Sequence, residues 1–532
     1  MSLRVVHFST SVDAGGAAVA MRNLHRALLA QGVESCVLGC EGEPSSEERV
    51  EVIPEWRAAG IERIEESCVH ANRTALSNTH FSLDLRGAHV SEHPAVRAAD
   101  VLHLHWTAGF LSTRSLHELA DLGKPVCWTM HDLRPVTGGC HFPAGCENYR
   151  AVCDPCPQLE RDPLAFARNA QAAQRSALVR LRPRFVAPSR WLADAARSSF
   201  AASGLNVDRI PYGVDLDRFA PGDRALARQR LGLSAGARYV MLGAHSFAER
   251  RKGAGLAAGI LQCLADDPRV ANGEWRLVCA GAKPPAELGG WPVNAVGQLS
   301  PEDMAALYVA ADLLLFTSLE DNLPNVLLEA GAAELPIVAL AVGGVPDIVR
   351  HGVNGALLPL ADLPAAADAV CELLENPELA RRYGAEGRRL AEAQFSLARQ
   401  ASDYLALYRS LIDMPRGSST PDSDRTEGAE GASELAVVWD LERARVEAAN
   451  LREQISKLRG ALETTRKQAE DLQKRLVQKQ VDLENTWATA QDFREKYVSA
   501  HERAEAAEKL YWQERQKPLR QHLREAVFRR KK

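Results

Sequence analysis

Short apolar runs alternate with amphipathic stretches from the start of the chain to about residue 410. Leu3–Phe8, Asp100–His105 and Val126–Met130 read as strands, as do Tyr239–Leu242, Arg276–Ala280, Leu313–Phe316 and Ile337–Leu340. Each is brief and apolar, as a strand buried on both faces requires. Ala17–Ala30 places Val19, Leu24 and Leu28 at helical spacing, and Pro301–Ala310 and Asn325–Ala333 also read as helices. Such alternation predicts parallel sheets covered by helices. Two runs of it predict an α/β protein of two Rossmann-like doubly wound lobes, 1–205 and 206–395, closed by a helix over 396–413. Ligands of these folds bind beyond the carboxyl ends of the strands. The expected site is therefore the cleft between the lobes.

The pattern breaks at Met414. Residues 414–432 carry almost no apolar side chain, which predicts a disordered linker. Residues 433–513 then follow a heptad. Leu441, Ala448, Ile455, Leu462, Ala469, Leu476, Leu483, Ala490, Tyr497, Ala504 and Tyr511 recur at steps of seven, with Ala444, Leu451, Leu458, Leu472, Phe493, Ala500 and Ala507 at partner positions. Thr465, Lys479 and Thr486 interrupt that seam. The pattern predicts a long α-helical coiled coil, about 105 Å if straight, and hence a homo-oligomer, most simply a dimer. The plain alternative is one solvated charged helix. The tail 514–532 has eight basic residues against Glu514 and Glu525, with Leu519, Leu523, Val527 and Phe528 as an apolar stripe. It suits peripheral contact with an anionic membrane, or else is a frayed end.

Composition narrows the class. With 46% hydrophobic and 25% charged residues and a net charge of −5, the chain is an ordinary globular sequence with no global pull toward nucleic acid. Its apolar runs are too short to cross a bilayer, and its first residues lack a signal peptide's apolar region. We expect a cytoplasmic protein, in which the 11 cysteines are mostly reduced.

Two features suggest chemistry. Asp321 and Glu329 flank Asn322, Leu323, Pro324 and Asn325, a helix start whose first-turn N–H groups can hold phosphate or sugar oxygens. Carboxylates so placed suit hydroxyl-rich ligands; two exposed acids are the plain reading. Secondly, Cys140, Cys146, Cys153 and Cys156 fall within 17 residues, beside His141. Such spacing suits a structural zinc site, although disulfides and free thiols stay open. Cys36, Cys40, Cys68, Cys127, Cys263, Cys279 and Cys371 read as small buried apolar groups. His103 and His105 alternate on a strand, as metal ligands or as a strand end leading into the cleft.

Residues 318–355, with Gly343-Gly344-Val345-Pro346-Asp347 after the strand Ile337–Leu340, closely resemble the retaining glycosyltransferases of family 4, which have the two-lobed GT-B fold. Gly15-Gly16, His131-Asp132, Ala187-Pro188-Ser189, Pro211–Phe219 and Arg251-Lys252-Gly253 match in order, so the resemblance spans about residues 3–410. It implies that Lys252 binds the donor diphosphate, with Arg251 or Arg250 as a second positive charge unless these are solvated loop residues. It implies that Glu329 holds the nucleotide ribose, Asp321 the transferred sugar's hydroxyls, and His131 the sugar near its reacting carbon. Gly15 and Gly16 would let backbone approach the ligand. Asn322 to Asn325 would add backbone N–H groups to the phosphate cradle. Two departures stand out: Asp321 replaces the more common Glu, and Gly243-Ala244-His245-Ser246 stands where many members carry Arg. A Cys-rich insert after His-Asp occurs in polysaccharide-type members, and would sit at the acceptor side of the cleft.

The resulting expectation is a hexosyltransferase-type enzyme of surface polysaccharide or glycoconjugate assembly. It would use a nucleotide-sugar donor, a glycan or lipid-linked acceptor and no catalytic cofactor. Same-face transfer would let the leaving phosphate take the acceptor proton, without a paired acid and base. The rival is a non-catalytic sugar-binding scaffold that acts through its coiled coil.

Overall fold

The computed structural model describes residues 2–414, apart from 47, 54–68, 84–86, 163–164, 243–247 and 282–286, together with parts of 463–529. Contacts divide the chain into Met1–Pro421 and Asp422–Lys532.

The first unit holds two seven-stranded sheets. The first sheet contains β1 (Arg4–Phe8), β2 (Glu34–Gly39), β3 (Val50–Val52), β4 (Val101–Leu104), β5 (Val126–Thr129), β6 (Arg184–Ala187) and β7 (Val207–Arg209), in the order β3-β2-β1-β4-β5-β6-β7 and all parallel. The second contains β8 (Arg238–Leu242), β9 (Trp275–Cys279), β10 (Glu287–Leu288), β11 (Trp291–Ala295), β12 (Leu313–Phe316), β13 (Ile337–Leu340) and β14 (Gly355–Leu358). Its order is β10-β11-β9-β8-β12-β13-β14, parallel except for β10 against β11. Two Rossmann-like lobes are thus present, as the apolar runs predict. The first extends past the expected boundary at 205, because β7 pairs with β6.

The central strands are buried on both faces because both are covered by helices. Ser300 caps Pro301–Ala310, with Pro301 where a missing N–H costs nothing. Helix Gly15–Ala30 buries Ala18, Ala20, Met21, Leu24, His25 and Leu28, while Val19, expected on that face, is 39% exposed. The chain leaves the first lobe near Val214 and returns at Ser396, and the two passes touch where Val214 N–H donates to Phe395 O at 2.7 Å. Helix Leu397–Asp413 then packs Ala401, Tyr404 and Tyr408 against Val5, Val101, Cys127 and Val186 of the first sheet.

In the second unit, residues 494–515 form a helix on which Tyr497, Leu510, Tyr511 and Trp512 are exposed. The proposed linker beyond Met414 and the coiled coil up to 462 lie outside the described residues, as does the stripe Leu519, Leu523, Val527 and Phe528. No helix among the described residues is long and apolar enough to cross a membrane.

Candidate active site between the lobes

Lys252 ends the turn Arg250–Lys252 and Gly253 follows it, and the loop 317–324 leaves the end of β12. They lie so close that a Cβ on Gly253, at φ +70°, would stand 1.8 Å from Thr317 O. Only glycine supports that approach and that backbone angle. It delivers Lys252 Nζ to Asp321 Oδ2 at 2.8 Å. Arg251 adds a guanidinium nitrogen 3.1 Å from the same oxygen. Burial works to raise the Asp321 carboxyl, but the charges of Lys252 and Arg251 outweigh it and hold the group below its usual range. Asp321 is thus the counter-ion of two cations, and both stand at one point of the cleft.

Helix Asn325–Ala332 starts after Pro324, and no side chain caps it. Helix Gly15–Ala30 also starts without a side-chain cap, at Gly15 with φ +88°. The two starts meet, because Asn325 Nδ2 donates to Gly16 O at 3.1 Å. Uncapped helix starts present free N–H donors and the positive end of the helix dipole, which suits an anion. Glu329, one turn along, accepts the Tyr308 hydroxyl at 2.6 Å. Burial raises its carboxyl, partly offset by Tyr308 and Arg218.

Asn322 fastens the lobes. Its Nδ2 donates to His131 O at 3.1 Å, and its Oδ1 accepts from Ser189 Oγ at 2.7 Å. Arg190 Nε meets the buried Asp347 at 2.6 Å beside them. His131 has both ring nitrogens engaged, with Tyr212 Oη at 2.7 Å and His105 Nδ1 at 3.1 Å. His105 continues to His7 Nδ1 at 2.9 Å. Burial lowers the His131 imidazole to about 4 and those of His105 and His7 well below the usual value, so the row is neutral at pH 7. His7, His103 and His105 are, among the described residues, the one trio whose ligand atoms lie within 4.8 Å of each other. His103 is itself bonded to Thr129 and Tyr408, so the trio is woven into the sheet interior. Asp132 accepts from Trp106 Nε1 at 2.7 Å and from His141 Nδ1 at 2.6 Å. A cavity of about 370 Å³, lined by Trp106, His131, Asp132 and Arg134, opens on the first-lobe side.

The loop carrying the four cysteines reaches the same place. Ala144 N–H donates to Glu320 Oε2 at 3.0 Å, and the Arg251 guanidinium lies 4.1 Å from the Phe142 ring centre. No described cysteine is in a disulfide. Burial pushes the Cys140 and Cys156 thiols up and Cys153 up to about 11. Cys127 and Cys279 are buried, whereas Cys263 is exposed, contrary to the reading of it as a buried apolar group. Residues 243–246 lie outside the described residues.

The two lobes correspond to known proteins. Residues 14–218 match Glycosyltransferase Family 4, and residues 238–376 match Glycosyl transferases group 1. The chain thus carries domains that match two glycosyltransferase families. D-inositol 3-phosphate glycosyltransferase 1 of Catenulispora acidiphila is 33% identical over 265 residues, 47% of this chain and 62% of the relative. The chain thus spans somewhat over half the length of such curated relatives. Among solved structures, sucrose-phosphate synthase from Thermosynechococcus elongatus aligns with a TM-score of 0.54 at 20% identity, over 77% of this chain and 99% of that one. HepE of Anabaena in complex with UDP aligns with a TM-score of 0.52 at 17% identity, over 77% of this chain and 100% of that one. These two likenesses show a shared GT-B fold. Local sequence assigns no role to Tyr308, Tyr212, Glu320 or Asp347, whose contacts join distant segments.

Proposed function

We propose that this glycosyltransferase moves a hexose from a nucleotide-sugar donor to a glycan or lipid-linked acceptor, with retention, in surface polysaccharide or glycoconjugate assembly. The observation that carries the reading is that Lys252 and Arg251 converge on Asp321 in the loop leading into helix Asn325–Ala332, whose uncapped start meets that of helix Gly15–Ala30. Together they offer a diphosphate fixed cations and free N–H donors without a metal. A diphosphate arriving there would compete with Asp321 for both cations and free its carboxylate for sugar hydroxyls. Glu329, already held by Tyr308, retains acceptor capacity for the ribose. The complex of HepE, which shares the fold, with UDP supports a nucleotide as ligand. The proposed acceptor side is the first-lobe cavity beside Trp106 and Arg134.

The test is a thermal-shift screen with UDP, GDP and ADP, followed by sugar-release assays on the matching nucleotide-sugars. At least one nucleotide should raise the melting temperature, and Lys252→Ala should abolish that rise and cut transfer about 10²–10³-fold. No shift with any nucleotide, and no transfer from any donor, would favour the scaffold.

A further inference from the structure

The loop between helical turn Arg134–Val136 and helix Phe166–Leu181 holds, among its described residues, one helical turn, Asn148–Arg150. A segment of that length with so little regular structure requires another source of order. Its four cysteines converge on one cavity of about 330 Å³, together with Phe81 and Tyr149. None is in a disulfide.

Three of the sulfurs have backbone donors. Asn148 N–H lies 3.4 Å from Cys146 Sγ, two residues before it. The Gln158 backbone stands in the same relation to Cys156, and the Gly138 backbone serves Cys153. Backbone N–H groups turned on sulfur are the outer hydrogen bonds that orient a metal-bound ligand. Arg73 supplies an independent sign. Its guanidinium is half-buried against this cluster and, among the described residues, donates only to neutral oxygens, those of Ser77, Thr79 and Gln158. Its Nε is buried without a partner. Among the described residues, this cation beside Cys140 and Cys156 meets no opposite charge. Four thiolates around a divalent ion carry a net charge of −2 and supply it.

We infer that Cys140, Cys146, Cys153 and Cys156 form a tetrahedral structural zinc site with Arg73 as its outer counter-charge. Sulfur is the soft ligand that zinc takes in closed structural sites. Among the described residues no three of these sulfurs lie within 4.8 Å of one another, so binding draws them inward across the cavity. Zinc at this point orders the segment between Cys140 and Cys146. That segment lays Phe142 on Arg251 and Ala144 on Glu320. The metal therefore holds a strap from the first lobe beside Lys252 and Asp321. This role of the strap rests on the donor site proposed above, but the metal site does not.

The test uses the full chain purified without chelator. Elemental analysis should find one zinc per chain, and cobalt substitution should give the visible bands of a tetrahedral thiolate centre. Cys156→Ser should lose the metal and expose 137–165 to limited proteolysis, whereas Cys263→Ser should keep it. Arg73→Gln should retain the fold and bind zinc more weakly in competition with a chromogenic chelator. Zinc-free chains with four alkylatable thiols, paired cysteines by mass mapping, or zinc kept by Cys156→Ser would each overturn the inference. Zinc content is read without any sugar donor. Metal present with no transfer would therefore count against the proposed activity alone.

Discussion

Replacing Glu329 by Gln should move stability and ligand binding in opposite directions. Burial raises the Glu329 carboxyl, so the folded chain binds that proton more tightly than the unfolded chain does. Stability from this group is therefore lost as pH rises from the ordinary carboxylate range through the raised value, and the ionised side chain is a liability at pH 7. Gln keeps the Tyr308 hydrogen bond through its carbonyl and removes the charge. The variant should melt higher at pH 7, with the gap closing as the solution is acidified. Binding should suffer. A hydrogen bond to a charged acceptor contributes about 1.5–3 kcal/mol, against about 0.5–1.5 for a neutral one. Tyr308 occupies part of one oxygen, which leaves room for two ribose hydroxyls. Two weakened bonds amount to about 2–3 kcal/mol, roughly 30- to 150-fold in Kd. Calorimetric titration with the nucleotide found in the screen, beside melting curves from pH 4 to 8, reads both quantities. A Kd within threefold of the parent would refute the ribose role, and a lower melting point at pH 7 would refute the account of Glu329 as a strained carboxylate.

Other outcomes follow from the same contacts. Gly253→Ala places a Cβ against Thr317 O at a left-handed backbone angle, and should cost more than about 1 kcal/mol in denaturant unfolding together with a large loss of nucleotide affinity. His131 is held neutral by burial, with its folded value near 4 against 6.5 for the free group. Stability should therefore fall as pH drops from about 6.5 to about 4, and His131→Gln should flatten that slope in pH-dependent melting. Light scattering should find the full chain dimeric and residues 1–413 monomeric; equal states would end the coiled-coil proposal.

Much of the fold was legible because its central strands are buried on both faces and so are written as apolar runs. Leu313–Phe316 and Ile337–Leu340 show this directly. Edge strands gave no such signal. Val207–Arg209 has an acid and a base in three residues and is recognisable only by its pairing with β6. Val19 failed as a core residue because the helix buries Ala18, Ala20 and Met21 instead. At the site, local motifs located Lys252, Asp321 and Glu329, but not their partners. The Lys252–Asp321 bond joins residues 69 apart, and Ser189–Asn322 joins residues 133 apart. His7 stands beside His103 only through the β1–β4 register.

The row from Tyr212 through His131 and His105 to His7 has a consequence of its own. Each neutral imidazole owns one N–H and one lone pair, so every link needs one of each. Choosing the direction of any link fixes all the others. If the protons point inward, His7 is left with a buried N–H at its unpartnered Nε2; if they point outward, only a bare lone pair remains there. Orphaned donors are the rarer of the two in folded proteins. The outward order thus makes His131 the donor to the Tyr212 oxygen and leaves the tyrosine hydroxyl proton free to turn. The polarity of a hydroxyl at the lobe junction is set three rings away, by an atom inside the sheet that no ligand reaches.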